Sequence, residues 1–374
     1  MSAAPLDSIV VVELGASVAA PAAGQILADL GADVVKIEKA EGDDARKWGP
    51  PFVDGASATF QSLNRNKRSV VCDLRDDKQR ASLVAFILKN ADVVLQNLRP
   101  GQVDALGLGA AELTARKPQL VYCNIGAFGR RGPLAERPGY DPLMQAFGGI
   151  MSVVGEEGRP PVRVGPSIVD VGTALWGVIG IVSTLYKRKE TGKGGVVDVS
   201  LFETAAAWMQ IYAAQYSACG ELPRRSGSGQ AAIVPYRAYR TTNGDLVVGA
   251  GNNSLFRKLC GVLGHPEWAD DPRFRENSDR VKHADTLYGM IEPEMTKRSS
   301  AQWAQVLDAA GVPCAPVQNV GQMLAHEQLK ALGLLQEVPG SSIPLIGLPI
   351  SFDGARPDPG KVAPALGAHT KEIL

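Results

Sequence analysis

The sequence predicts an α/β protein: a doubly wound parallel sheet, followed by a smaller mixed domain. Three observations carry this. Short β-branched runs alternate with helical segments from the start, the runs are mostly apolar as buried parallel strands are, and two long apolar helical segments follow them. Ile9 to Leu14 is the first strand, Ala19 to Leu30 a helix closed by Gly31, and Asp33 to Glu38 the next strand, so the chain opens with a β-α-β unit. A helix over Lys78 to Lys89, a buried strand over Asp92 to Gln96 and a strand over Leu120 to Ile125 continue the alternation. The apolar segments Val171 to Tyr186 and Leu201 to Tyr216 flank a solvated turn, Lys187 to Gly195, and the second reads as a connecting helix. The expected organisation is therefore 1–195 for the first part of a large domain, 196–224 for a linker helix, 225–318 for a small α+β domain, and 319–374 for a tail rich in Pro and Gly.

Charge and composition narrow the functional classes. Lys plus Arg is 39 and Asp plus Glu is 39 in 374 residues, so no global basic field exists to draw in nucleic acid or an anionic membrane surface. No apolar stretch reaches the ~20 residues that span a bilayer, and Met1 to Val12 has no basic lead before its apolar run. A cytoplasmic protein with neither nucleic-acid nor membrane partners is expected. The five cysteines, Cys72, Cys123, Cys219, Cys260 and Cys314, lie far apart without a C-x-x-C pair, which argues against a disulfide framework and a zinc site. The first histidine is His265, so any chemistry before it works without imidazole.

Several constellations are candidates for a site. Glu38 at the end of the β-α-β unit invites a dinucleotide, but the segment Gly15-Ala16-Ser17-Val18-Ala19-Ala20-Pro21 lacks the G-x-G-x-x-G fingerprint. Its small residues still permit a ligand to approach a helix start. Basic side chains cluster in Asn64-Arg65-Asn66-Lys67-Arg68-Ser69, continue through Arg75, and recur in Asn97-Leu98-Arg99-Pro100-Gly101. They read either as a phosphate site at the carboxyl ends of strands or as solvated loops. Asp170, just before the most apolar helix, is either a cap on the helix amides or a nucleophile, since a carboxylate is ionised at neutral pH and needs no general base.

These residues carry a resemblance to the class III CoA-transferases, the family of formyl-CoA transferase and carnitine CoA-transferase that also contains α-methylacyl-CoA racemase. The matching motifs run along the whole chain: Leu30-Gly31-Ala32-Asp33-Val34-Val35-Lys36-Ile37-Glu38, Leu63 to Ser69, Asn97 to Gly101, Gly139-Tyr140-Asp141, Thr191-Gly192-Lys193-Gly194 with Val197-Asp198, and Gly311-Val312-Pro313. The resemblance implies a Rossmann-like large domain whose parallel sheet is formed by both chain ends, the tail being a return segment, with the small domain between and two subunits closed as an interlocked-ring homodimer. It implies that Asp170 attacks an acyl-CoA thioester, forms an aspartyl anhydride and then an aspartyl-CoA thioester, and passes CoA to a carboxylic acid. CoA is then substrate and product, with no permanently bound cofactor and no metal.

By the same resemblance Val18 and Ala19 lie beside the pantetheine, Lys39 and Arg75 toward the phosphates, and Cys72, Asn97 and Leu98 around adenine and ribose. Ala16 and Val18 stand where formyl-CoA transferase carries His and Gln, which argues against formate as substrate, and Ala105 stands where racemases of the family carry Arg. Tyr140 and Gln145 are expected at the substrate, with Met144 and Arg163 as further pocket candidates. Gly227, Gly229 and Gln230, within Ser226-Gly227-Ser228-Gly229-Gln230, take the place of a glycine-rich lid, the alternative being a plain linker. Backbone amides at the start of the Asp170 helix are expected to serve as oxyanion donors. Two rival activities remain: a racemase or epimerase, disfavoured because Tyr140 replaces the family's histidine base, and a CoA-binding protein in which Asp170 is only a cap.

Overall fold

The computed structural model describes residues 4–374. Contacts divide the described residues into two compact units: 4–150, 164–213 and 327–374 form the larger, and 151–163 with 214–326 the smaller.

The larger unit is built on six parallel strands. β1 (Val10–Leu14), α1 (Ala19–Asp29) and β2 (Asp33–Glu38) open it; α2 (Ala58–Asn64) leads into β3 (Lys67–Val71), and α3 (Asp77–Asn90) into β4 (Val93–Gln96). β5 (Val121–Gly126), α4 (Asp141–Phe147), α5 (Ile168–Thr191) and β6 (Gly195–Ser200) complete the sheet, and α6 (Leu201–Trp208) and α7 (Gln210–Cys219) follow. The strand order is β3-β2-β1-β4-β5-β6, all parallel. Direction along the sheet reverses between β1 and β4, and in open α/β sheets ligands bind in the crevice beyond the carboxyl ends of strands at such a point.

The central strands are rich in β-branched residues and buried, as a covered parallel sheet requires, and Val11, Val12, Val34, Val35, Val93, Val94 and Val121 are fully buried, whereas the edge strand β6 alternates partly buried and exposed positions. The first half of α1, Ala19 to Gly24, is made of small residues, and α5 lies against this helix. Gly24 is required there: a Cβ would come within 2.0 Å of the Glu13 carboxylate. α5 is longer than the apolar run alone marks. It extends through Lys-Arg-Lys to Thr191 and stops at Gly192, whose φ of +67° lets its N–H close on Arg188 O at 2.8 Å. By length and composition α5 could cross a membrane, but one face of it packs on β5, β6, α1 and α6.

Two expectations are corrected here. The sheet takes no strand from the carboxyl end of the chain; the tail covers the free edge of β3 instead. Ser69 N–H donates to His369 Nδ1 at 3.2 Å, Val71 N–H to Thr370 Oγ1 at 3.0 Å and His369 N–H to Ser69 O at 2.9 Å, which pairs the edge without another strand. Residues 196–224 are not one linker helix: they begin inside β6, and the helix that follows breaks at Met209.

The smaller unit pairs an antiparallel sheet, β7 (Tyr236–Thr241), β8 (Gly244–Gly249) and β9 (Cys314–Pro316), with α8 (Asn253–Leu263), α9 (Ala284–Met295) and α10 (Ser300–Ala310). Leu246, Val248, Phe256, Leu259, Leu287, Ile291 and Leu307 fill its core. Arg280 is fully buried in this unit, over the Phe256 ring, and donates to the carbonyls of Val234 and Phe274.

Candidate active site

At the point where strand direction reverses, two loops face each other, Gly15–Val18 after β1 and Asn97–Gly101 after β4. Asn97 joins them: its Oδ1 accepts Ala16 N–H at 3.0 Å and its Nδ2 donates to Ala16 O at 2.9 Å. Ser17 is in the left-handed region, φ +71°, and its N–H donates to Asp43 Oδ1 at 3.1 Å. Below the first loop Lys36 reaches Glu13 at 2.8 Å, Asp43 at 2.9 Å and Gly15 O at 2.7 Å, while Lys67 reaches Glu13 at 2.8 Å and Pro21 O at 2.8 Å. The four side chains are buried with two positive and two negative charges, so the group is neutral while its ammonium groups fasten the loop and the first turn of α1.

α1 starts at Val18 with no side-chain cap and no acidic residue in its first turn. Its amino end carries a positive dipole with no acidic side chain of its own turn beside it, a setting suited to an anion. Glu38 is unavailable to a ribose: Arg46 grips it through two bonds at 2.8 and 2.7 Å, Ser69 Oγ donates at 2.6 Å and Asp43 N–H at 2.9 Å. The dinucleotide role is thus blocked at the residue that would perform it.

α5 returns from the carboxyl to the amino edge of the sheet between parallel β5 and β6, so its first turn, with Asp170, lies on the same edge as these loops. The cap on that turn comes from elsewhere. Asp141, at the start of α4, accepts Val169 N–H at 2.8 Å and Asp170 N–H at 3.2 Å through Oδ2. Gln145 holds Asp141 in place; its Nε2 donates to Asp141 Oδ1 at 2.6 Å and to Val164 O at 3.3 Å, and its Oε1 accepts Val164 N–H at 2.8 Å. Asp170 is left partly buried, with no hydrogen bond to its carboxylate among the described residues. Burial, and then the Asp141 charge, push its carboxyl up to about 7.

Asp170 is therefore not the cap, and it is only partly ionised near neutral pH, contrary to the simple expectation for an aspartate. The expected oxyanion donors are also spent: the amides of Val169 and Asp170 go to Asp141, and Val171 N–H goes to Ser167 O at 3.0 Å. Gln145 is fully buried and orients Asp141 instead of meeting a substrate, and Met144, 1% exposed, is core. Tyr140, 64% exposed, stands beside Asp141 at the start of α4.

Of the residues expected around CoA, Val18 is partly buried and Ala19 buried at the start of α1, and Leu98 is partly buried against the sheet core. Lys39 is exposed and paired with Asp44 at 2.8 Å, and Arg75 is exposed with no side-chain partner among the described residues. The Asn97 amide gives one N–H and one lone pair to Ala16. Cys72 lies in the core, burial pushing its thiol up to about 11, and its N–H donates to Glu38 O at 2.9 Å. Gly227, Gly229 and Gln230 belong to the smaller unit, as does Arg163. Gly227, φ +60°, donates its N–H to Gly155 O at 2.9 Å, Gly229 to Ser226 O at 2.9 Å and Gln230 to Tyr236 O at 3.1 Å, a structured turn on that unit. No three His, Cys, Asp or Glu side chains gather as metal ligands among the described residues.

The family model for CoA-transferase family III matches residues 6–370. The chain belongs to that family. This CoA-transferase is 33% identical to the succinyl-CoA:glutarate CoA-transferase of Mus musculus, over 99% of its own length and 86% of the relative's. It is 38% identical to the acetyl-CoA:oxalate CoA-transferase of Acetobacter aceti, over 94% and 90%. Among solved structures, a CaiB/BaiF family protein from Brucella suis superposes on the transferase with a TM-score of 0.89 at 39% identity, covering 99% of this chain and 98% of that one.

Proposed function

We propose that the enzyme moves CoA from a small acyl-CoA donor to a small dicarboxylic acid, with Asp170 as the nucleophile. The observation that carries this reading is the Asp170 carboxylate itself, which stands at the mouth of α5 relieved of capping by Asp141. An Asp170 oxygen adds to the thioester carbonyl, the C–S bond breaks, and an acyl-aspartyl anhydride and CoA thiolate result. The thiolate attacks the aspartyl carbonyl, releases the donor acid and leaves a β-aspartyl-CoA thioester. The acceptor carboxylate then adds to that thioester and returns the thiolate, and attack of the thiolate on the acyl side of the new anhydride yields the product thioester and free Asp170. The anhydride must be kept from water.

Dicarboxylates are favoured because succinate, glutarate and oxalate appear in the names of the relatives. A racemase needs bases on the α-carbon that titrate near working pH, whereas the imidazole of the larger unit, His369, is occupied at the β3 edge. We take the working form to be an interlocked homodimer, supported by the exposed stripe Val171, Leu175, Ile179, Val182 and Tyr186 along α5, spaced three and four residues apart.

The test is trapping. Incubated with succinyl-CoA, the wild type gains the mass of an acyl group or of CoA at Asp170 and is inactivated by hydroxylamine only when the thioester is present; Asp170→Asn does neither while still binding CoA. Full transfer activity in Asp170→Ala overturns the proposal.

A further inference from the structure

The loop after β4 is held by a ladder of side chains that crosses the sheet. Gln96, Asn124 and Asp198 are register partners on β4, β5 and β6. Leu98 N–H donates to Gln96 Oε1 at 2.8 Å, Gln96 Nε2 to Asn124 Oδ1 at 2.7 Å, and Asn124 Nδ2 to Asp198 Oδ1 at 2.8 Å. A backbone N–H only donates and an ionised carboxylate only accepts, so the two ends impose one direction on both amides between them. Turning either amide over sets oxygen against oxygen or nitrogen against nitrogen. Gln96 and Asn124 are 5% and 4% exposed, so a turned amide would find little water to compensate it.

We propose that Asp198 is a positioning residue for CoA binding: its carboxylate fixes the polarity of the Asn124–Gln96 ladder and so holds the Leu98 amide and the loop that carries the CoA ester. Asp198 is half-exposed on the edge strand, with Arg130 at 3.6 Å, and is separated from the loop by β5. Its effect reaches both lips of the crevice, because the residue next to Leu98 is Asn97, which clamps Ala16. The inference rests on the reading of this loop as part of the CoA site.

A pair of variants tests the polarity of the ladder. Gln96→Glu alone places carboxylates on both sides of Asn124, whose oxygen must then face one of them. Asp198→Asn alone leaves an acceptor in place but no longer enforces the direction. Together they restore a consistent ladder: Glu at 96 accepts from Leu98 and from a turned Asn124, whose oxygen accepts from the new amide at 198.

Binding of CoA to the full-length protein by calorimetry, with kcat and KM for succinyl-CoA, reads the result. Gln96→Glu should raise the CoA Kd and the acyl-CoA KM about tenfold or more and Asp198→Asn about twofold, with kcat little changed, whereas the double variant should return to within about threefold of wild type. If the single effects multiply in the double variant, or if Gln96→Glu binds CoA as wild type does, the proposal is overturned. Should Gln96→Glu not fold, recovery of folded, CoA-binding protein in the double variant is the rescue, and its absence counts against the ladder. Wild-type protein that binds no CoA refutes the reading of the loop instead. In that case hydrogen exchange at Leu98 still decides the ladder, which requires faster exchange in Asp198→Asn and refutes itself if the rate is unchanged.

Discussion

Asp141 accepts the backbone N–H of Asp170 and thereby frees the Asp170 side chain from the capping task its position suggests. Capping by a remote acid has an electrostatic consequence, because the carboxylate that satisfies the helix amides also sits near the carboxylate that does the chemistry. The second charge adds to burial in holding Asp170 partly protonated.

The first prediction is a pH profile. With the Asp170 carboxyl pushed up to about 7, the ionised nucleophile is the minor form in acid, so kcat/KM for the acyl-CoA should rise with pH through that region and level off above it. A profile flat from pH 5 to 8 would show that Asp170 is already fully ionised in the free enzyme.

Removing the neighbouring charge should move that profile. Asp141→Asn takes away the smaller of the two causes and leaves burial in place, so the midpoint should shift toward acid by less than the full distance to an ordinary aspartate. The same variant sets an amide against Gln145 Nε2, and Asp141→Ala loses the cap entirely, at a cost of about 1–2 kcal/mol in thermal or denaturant unfolding.

Stability should respond to Asp170 in the opposite sense from activity. A carboxyl whose folded value is raised gives stability that is complete below its unfolded value and lost as pH rises through its folded value. Asp170→Asn removes the ionisation that causes the loss, so the variant should be inactive yet more stable than wild type at pH 8 by about 1–2 kcal/mol, after allowance for solvent reaching a partly buried group, with the gain declining as pH is lowered through 5 toward 4. Unfolding midpoints at several pH values measure it; a variant less stable at pH 8 would show that the carboxylate is held by favourable contacts.

The thiols give an independent check on the core. Cys72, Cys123 and Cys260 are buried and their thiols are pushed up to about 11, 12 and 12, and partly buried Cys314 to about 11, whereas Cys219 is exposed. Iodoacetamide on the native enzyme at pH 8 should label Cys219 first, with transfer activity retained. Rapid labelling of Cys72 or Cys123 would contradict the packing of the sheet.

Local patterns exposed much of this molecule in advance. The β-branched runs around Val11, Val34 and Val94 and the small residues of α1 mark strands and helix because burial selects apolar side chains at neighbouring positions, and the motifs around Lys36, Asn97 and Asp198 marked the family. Asp170 was singled out in the same way. Its surroundings were not: Gln145 looked like a pocket residue and Asn97 a ribose contact, yet both spend their amides on other parts of the protein, on Asp141 and Val164 in one case and on Ala16 in the other.

What the sequence determined by itself was the alternation of strand and helix, the want of imidazole before His265 and the acid at the head of the apolar helix, all properties of neighbouring residues. Only the tertiary structure decided the strand order, the covering of the β3 edge by the tail and the division of labour between Asp141 and Asp170. The reason is physical: each of these depends on hydrogen bonds between groups tens to hundreds of residues apart, and a donor's choice among such acceptors exists only once folding has buried them together without water.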